Sequence, residues 1–294
     1  MTLFVRPLHP VFAAEVTGID LREPPGPDLG REIEAVMDRY AVAVLPDQFI
    51  DDPQQVRFAR LFGDLEVAPL MRGKPWQPAP DARIQLREIF DVSNLDARGN
   101  LLPPDDEKRN YSLGNRLWHT DSSFRQLSAT YSMLSGRIVP ADGADTEFTD
   151  LRAAYDALAP EMKARLEGLV AEHSIWVSRA KFGYIPNEEE RTARPGARHP
   201  MVRRHPGSGR MTLYVASHIS GIVGMPQAEA DALVDELMAH ATQRKFVYAH
   251  KWRRGDLVIW DNRCTMHRAT PFADQGERRD MRRATVREPV VQTA

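Results

Sequence analysis

The stretch that decides the fold is Leu117-Trp118-His119-Thr120-Asp121-Ser122-Ser123-Phe124, which holds the only His-x-Asp of the chain. Side chains two residues apart point to the same side of an extended strand. One strand can therefore aim the His119 imidazole and the Asp121 carboxylate at a single point. With a second histidine from elsewhere, they would form the two-histidine, one-carboxylate facial triad of non-haem Fe(II) oxygenases. The pair alone is equally compatible with a strand whose histidine and aspartate bond each other.

Composition excludes several classes of protein. The 294 residues are 42% hydrophobic and 8% aromatic, which is enough to bury a substantial core. A formal net charge of -2 gives no basic excess that would indicate a nucleic-acid or membrane partner. The single cysteine, Cys264, excludes an internal disulfide, and no run of about 18 apolar residues occurs. We therefore expect a cytoplasmic protein with no nucleic-acid and no membrane partner.

A second informative stretch lies near the C-terminus. The apolar run that ends at Trp260 passes through a polar turn and delivers His267, which can meet His119 only through folding. Cys264 in that turn is interpreted as a packing residue, because a lone cysteine is usually a small buried hydrophobe. Further along, Arg279 and Arg283 alternate and would share one strand face. Two such arginines are costly to bury unless anions meet them, and a solvated sheet edge is the alternative.

Strands recur at both ends of the chain with amphipathic helices between them, which predicts a mainly β fold, a β-barrel or jelly-roll core with helical insertions. We expect one domain over residues 1–294. Two irregular segments interrupt it. Residues 71–117 are rich in proline and lead directly into His119, so we expect a lid there, with a plain surface insertion as the alternative. Residues 178–204 form a second irregular and basic insertion.

Four blocks occur in a recognisable order: Trp118-His119-Thr120-Asp121, residues 143–148, residues 260–268 and residues 279–283. Together they resemble the taurine/2,4-dichlorophenoxyacetate dioxygenase family of Fe(II)- and 2-oxoglutarate-dependent oxygenases. The resemblance covers nearly the whole chain, and Pro7-Leu8-His9-Pro10 is most similar to the 2,4-dichlorophenoxyacetate branch. It implies a double-stranded β-helix, which is a cupin-like jelly roll.

The resemblance also implies roles for individual residues. It makes His119, Asp121 and His267 the catalytic iron ligands. It places the distal carboxylate of 2-oxoglutarate on Thr146 and Arg279, in a pocket lined by Trp260, and the anionic group of the prime substrate on Arg283 and Asn115. The arginine block lies one residue further from His267 than in close relatives, so Arg278 is the alternative to Arg279.

Four further candidates for substrate binding rest on their position in the chain. His205 and His218 flank a predicted strand and are placed to line the substrate cavity, although a single histidine is more often structural. Arg72 and Lys74 lie within the predicted lid, where an exposed basic loop is the alternative.

The implied reaction uses Fe(II), 2-oxoglutarate and O₂ to hydroxylate a small anionic substrate, and it releases succinate and CO₂; ascorbate is expected as an activator in vitro. With an aryloxyalkanoate such as 2,4-dichlorophenoxyacetate, the hydroxylated carbon is a hemiacetal that collapses to a phenol and glyoxylate. The alternatives are a taurine, alkylsulfonate or sulfate-ester dioxygenase, a cupin-like metal-binding module without turnover, and a Zn(II) hydrolase. Because relatives are often dimers or larger, we expect a homo-oligomer.

Overall fold

The computed structural model describes residues 2–68 and 78–289. In this part of the chain the strands are β1 (Phe4–Pro7), β2 (Ala14–Thr17), β3 (Val42–Leu45), β4 (Phe90–Asp91), β5 (Ala129–Ile138), β6 (Thr146–Asp150), β7 (Val170–His173), β8 (Ala197–Pro200), β9 (Val202–Arg204), β10 (Met211–Leu213), β11 (Ile219–Ile222), β12 (Val247–His250), β13 (Leu257–Asp261), β14 (Thr265–Ala269) and β15 (Asp280–Arg287). The α-helices are α1 (Leu29–Tyr40), α2 (Asp52–Ala59), α3 (Glu107–Leu113), α4 (Leu151–Asp156), α5 (Pro160–Leu166), α6 (Ile175–Ala180), α7 (Glu188–Ala193) and α8 (Gln227–Ala241).

Two sheets form the core. The larger has the order β1-β2-β3-β13-β5-β15-β4, with the β2–β3 pair parallel and the other pairs antiparallel. The smaller has the order β12-β6-β14 and is antiparallel. Phe148 of the small sheet packs on Trp260 of the large one, with 5.6 Å between the ring centroids. The predicted mainly β jelly roll with helical insertions is confirmed, as two packed sheets rather than a closed barrel.

Strand β13 shows why this sequence forms a two-sided layer. Leu257 and Ile259 point to one face and pack in a core cluster with residues of α1 and α2. Val258 and Trp260 point to the opposite face and pack in another cluster with Phe148. This follows from the period of two along a strand. Because helices cover one face and the small sheet covers the other, an unbroken apolar run is required here.

The irregular character predicted for residues 178–204 is wrong. This segment contains α7 and the strands β8 and β9. Asn187 caps α7 by accepting a hydrogen bond from the backbone of Glu190, whose side chain in turn accepts one from the backbone N–H of Asn187. Strand β8 pairs with β7, which also pairs with β11. The Asn-x-x-Glu capping box was a helix signal present in the sequence.

The predicted lid, residues 71–117, is described only from residue 78 onward. There it contains the short strand β4 and the helix α3, which begins after the capping residue Asp106. Whether this segment orders over a bound substrate stays a prediction, and Arg72 and Lys74 lie outside the described residues. Among the helices of the described ranges, none combines the length and apolar character needed to cross a membrane.

Candidate active site

The predicted metal ligands come together at one bridge between two chain segments. The backbone N–H of His267 donates to the carbonyl of His119 at 2.7 Å, and the reciprocal hydrogen bond measures 3.0 Å. The two ring centroids are 4.2 Å apart. Asp121 follows two residues later, and its Oδ2 lies 3.8 Å from Nε2 of His267. The possible ligand atoms of these three buried residues all lie within 4.8 Å of one another.

Neighbouring polar groups orient the ligands. Nδ1 of His119 lies 2.7 Å from the carbonyl oxygen of Leu117, which leaves Nε2 free as a ligand atom. Oδ2 of Asp121 accepts a hydrogen bond from the Ser132 hydroxyl at 2.7 Å. The backbone N–H of Asp121 donates to Oδ1 of Asn262 at 3.0 Å. Ser132 and Asn262 were not predicted, although Asn262 belongs to the polar turn before His267.

Burial and charge set the protonation states that a divalent cation requires. Burial lowers the pKa of His119 to about 4 and lowers the pKa of His267 well below its ordinary value, so both rings are neutral near pH 7. Burial alone would raise the pKa of Asp121, but Arg283 and the two histidines outweigh it and hold that pKa at about 2. Two neutral imidazoles and one carboxylate are a donor set that fits Fe(II).

A small cavity of about 100 Å³ opens beside the two histidines. Thr146, Trp260 and Arg279, the residues predicted to surround 2-oxoglutarate, all line it. The Thr146 hydroxyl accepts a hydrogen bond from Nε1 of Trp252 at 2.9 Å, so its own proton is free to point elsewhere. Trp252 was not predicted.

Four arginines line this small cavity; Arg109 and Arg116 pair with Asp274 and Arg283 pairs with Asp121, which leaves Arg279. Its side chain is buried, and burial lowers its pKa to about 10, so it stays charged near pH 7. Nη1 donates to the carbonyl of Val92 at 3.2 Å, and no carboxylate of the described residues forms an ion pair with it. Arg278 instead donates to the carbonyl of Gly99 at 2.6 Å and does not line the cavity. The geometry thus places Arg279, rather than Arg278, at the predicted position.

A larger cavity of about 390 Å³ also opens at His119, and Asn115 and Arg283 line both cavities. Three residues predicted to contact the prime substrate, Asn115, His218 and Arg283, line it. Arg283 also donates from Nη1 to Oδ1 of Asp121 at 2.5 Å. Both cavities therefore meet at the His-Asp-His group, one with a buried arginine for a small anion and one with room for a larger molecule.

A family model described as "Taurine catabolism dioxygenase TauD, TfdA family" matches residues 5–285. The chain belongs to this family.

Individual TauD/TfdA relatives match over nearly the whole chain. An "alpha-ketoglutarate-dependent 2,4-dichlorophenoxyacetate dioxygenase" of Cupriavidus pinatubonensis is 45% identical, with 99% of this chain and 100% of the relative covered. An "(S)-phenoxypropionate/alpha-ketoglutarate-dioxygenase" of Sphingobium herbicidovorans is 34% identical, with 94% and 92% covered. A crystal structure of AAD-2 in complex with Mn(II) and N-oxalylglycine superposes with a TM-score of 0.88 at 44% identity, covering 99% of this chain and 100% of that one.

His205 lines neither cavity of this TauD/TfdA protein, so the prediction that it lines the substrate cavity is wrong. Its Nε2 lies 2.9 Å from Oδ2 of Asp261, and Nδ1 accepts a hydrogen bond from the backbone N–H of Ser208. Asp261 is also held by Arg263 at 2.6 Å. The ring is turned into this buried ion-pair network and lines neither cavity. Burial raises the pKa of the adjacent Cys264, which keeps its thiol protonated and agrees with a packing role.

Proposed function

We propose that this TauD/TfdA protein is a 2-oxoglutarate-dependent dioxygenase that hydroxylates an aryloxyalkanoate such as 2,4-dichlorophenoxyacetate. One observation carries the proposal: a small cavity with a buried arginine that has no carboxylate partner in the described structure, and a large cavity, both open onto the same His-Asp-His group. The names and the identities of the relatives from Cupriavidus pinatubonensis and Sphingobium herbicidovorans support this substrate class.

The chain's own residues have distinct tasks in this reaction. His119, Asp121 and His267 would hold Fe(II), which supplies the activation of O₂ that is coupled to decarboxylation of 2-oxoglutarate. Arg279 and Thr146 hold the distal carboxylate of that cosubstrate. A charged pair of this kind, shielded from water, is stronger than an exposed one. Mn(II) and N-oxalylglycine, bound by AAD-2, correspond to a divalent metal and a molecule shaped like 2-oxoglutarate.

The balance of the reaction follows from the substrate. One oxygen atom of O₂ enters succinate as 2-oxoglutarate loses CO₂, and the other enters the methylene C–H bond beside the ether oxygen. The product carbon then carries a hydroxyl and an aryloxy group. Its C–O bond to the aryloxy group breaks, the hydroxyl proton passes to the phenolate, and phenol and glyoxylate leave.

The larger cavity suits an aryl group better than a short sulfonate. Phe90, Phe124 and Tyr111 are among its lining residues and offer aromatic faces. Aromatic rings stack on such faces with an energy beyond simple burial. A taurine or alkylsulfonate substrate would leave most of this surface in contact with water. A metal-binding module without turnover would have no use for a buried arginine in a cosubstrate pocket, which favours an enzyme.

The test is product analysis with the purified protein, Fe(II), 2-oxoglutarate, ascorbate and air. We expect succinate, 2,4-dichlorophenol and glyoxylate in equal amounts from 2,4-dichlorophenoxyacetate, and much slower succinate formation with taurine. Asp121→Ala serves as the matched control and should give none of these products. Rapid turnover of taurine without phenol from any aryloxyalkanoate would overturn the proposed substrate class.

A further inference from the structure

Arg179 is one of four arginines that line the larger cavity, and neither the sequence motifs nor the proposed reaction assigns it a role. Arg179 lies on α6, and 5% of its surface is exposed. Nη2 donates to Oδ1 of Asn115 at 3.0 Å. Its guanidinium carbon stands 4.4 Å from the centroid of the Tyr111 ring. Nε and Nη1 are buried and have no hydrogen-bond partner.

No carboxylate neutralises this guanidinium. In the described part of the chain, Arg179 takes part in no ion pair, and two acidic residues of this cavity, Asp91 and Glu190, have other partners. Asp91 receives Lys108 and Arg83, each at 2.7 Å. Glu190 receives the hydroxyl of Tyr184 at 2.6 Å. A buried charge without a counter-ion is strongly unfavourable, so its presence in a cavity wall indicates an anion supplied by a ligand.

The glycine backbone at residue 114 leaves room for the guanidinium of Arg179. Gly114 lies directly against it, and a Cβ atom on that residue would overlap Nη1 of Arg179. Glycine is the residue that permits such a close approach of backbone and side chain. Asn115, the next residue, receives the hydrogen bond that fixes the guanidinium plane. Tyr111 covers one face through a cation–π contact.

Arg283 also lines this cavity, and it already has an anionic partner. Its Nη1 lies 2.5 Å from Oδ1 of Asp121, and its guanidinium carbon is 5.3 Å from the centroid of Phe90. Arg279 lies in the small cavity. Arg179 is therefore the buried cation of the larger cavity that has no carboxylate partner among the described residues; Arg194 has none either, but it is only half-buried and binds the Tyr111 hydroxyl.

We propose that Arg179, oriented by Asn115 and Tyr111, binds the anionic end of the prime substrate and so determines which substrates are accepted. The inference rests on the proposed function in taking that end to be the carboxylate of an aryloxyalkanoate. Asn115 then acts as a positioning residue, and Arg283 mainly holds Asp121. Arg179 shares this cavity with His119 and Asp121, so a substrate held at its anionic end can present the rest of the molecule to the metal site.

The test compares Arg179→Gln with Lys108→Gln. Lys108 lines the same cavity but is paired with Asp91 at 2.7 Å, so its replacement removes an equal charge without removing the proposed anchor or a contact of Tyr111. We expect Arg179→Gln to raise KM for 2,4-dichlorophenoxyacetate by about 30-fold or more, equivalent to about 2 kcal/mol. KM for 2-oxoglutarate should stay within about two-fold, and Lys108→Gln should change neither value much.

A neutral substrate separates recognition of charge from damage to the fold. The amide of 2,4-dichlorophenoxyacetate lacks the anion, so wild type and Arg179→Gln should use it equally poorly. If Arg179→Gln raises KM for acid and amide by the same factor, or for neither, the inference is overturned. Arg179→Lys keeps the charge but loses the bidentate geometry of the guanidinium, so its KM for 2,4-dichlorophenoxyacetate should lie between those of wild type and Arg179→Gln. It replaces the glutamine variant in the test if that variant does not fold.

Failure of the proposed substrate class would look different. If the wild type turns over a sulfonate and no aryloxyalkanoate, KM for that sulfonate is measured with the same two variants. A rise confined to Arg179→Gln would then support the anion-binding role while the aryloxyalkanoate function fails. An unchanged KM would overturn the role of Arg179 for either substrate.

Discussion

The backbones of His119 and His267 bond each other in both directions, at 2.7 and 3.0 Å. Two residues far apart in the chain are thus fixed by the fold itself, before any metal binds. Only Asp121 reaches the site without such a bridge, and it depends on Ser132, Asn262 and Arg283 for its position.

The first prediction concerns that carboxylate. Asp121→Ala should abolish turnover and severely weaken binding of Fe(II), because it removes the only anionic ligand of the trio. Ser132→Ala should keep the Asp121 carboxylate but remove the hydrogen bond to its Oδ2, which should lower metal affinity or activity by about 10–100-fold. Metal content after dialysis against a graded chelator measures both. A fully active Asp121→Ala protein would contradict the metal site.

The second prediction concerns 2-oxoglutarate. Arg279→Leu should raise KM for 2-oxoglutarate by tens-fold or more, since loss of one member of a desolvated charge pair costs about 2–5 kcal/mol. Arg278→Leu is the matched control, because this arginine only donates to the carbonyl of Gly99. Steady-state kinetics at saturating prime substrate distinguish them. If Arg278→Leu raises KM for 2-oxoglutarate and Arg279→Leu does not, the assignment is reversed.

The third prediction concerns Gly114. A methyl group there would collide with the guanidinium of Arg179, and relief of such overpacking costs about 1–3 kcal/mol. Gly114→Ala should therefore raise KM for the prime substrate by about 10-fold, equivalent to about 1.4 kcal/mol, with little change for 2-oxoglutarate. Gly26→Ala adds a methyl group where nothing lies within 4 Å and should behave like wild type. Equal kinetics for the two variants would show that Arg179 tolerates displacement.

The fourth prediction concerns acid stability. His173 has two buried ring nitrogens without partners, and burial lowers its pKa to about 3 from an ordinary value of 6.5. Between these values the unfolded chain binds a proton that the folded protein does not, so the free energy of unfolding falls as the pH falls. One such group contributes a slope of at most about 1.4 kcal/mol per pH unit.

His173→Phe should flatten this slope, because phenylalanine keeps the aromatic contact with Tyr214 but cannot be protonated. Urea unfolding of the metal-free protein at pH 7, 6 and 5 measures the slope for wild type and variant. Identical pH dependence would mean that His173 is protonated in the folded state as well.

The meeting of His119, Asp121 and His267 could be predicted, although the strand expected around His119 was not found: His119 forms an isolated bridge and Asp121 lies in a turn. A polar turn after an apolar strand positions His267, as the sequence indicated. The order of four sequence blocks then indicated the family. The Arg278 and Arg279 alternatives were harder to separate, since the pairing register of β15 with β5 shifts between Asp280 and Met281. A bulge breaks the alternation on which such counting relies.

The residues that escaped prediction meet only through long-range folding. Arg179, Ser132 and Trp252 carry no local signature, and each is bonded to a partner distant in sequence. His205 was misplaced because flanking a strand does not determine where a ring points. Its ring faces the buried Asp261, whose Oδ2 lies 2.9 Å from Nε2.

The larger cavity owes part of its wall to α3 and to the segment of α6 and α7, which meet where the rings of Tyr111 and Tyr184 pack 5.2 Å apart. All three helices lie outside the strands of the two core sheets. Replacing these two segments together would therefore change the wall of the larger cavity, and with it the substrates accepted, while His119, Asp121 and His267 stay in place. Chimeras that exchange only one segment would break the contact between Tyr111 and Tyr184. Variants with a new substrate preference should therefore exchange α3 and the segment of α6 and α7 together.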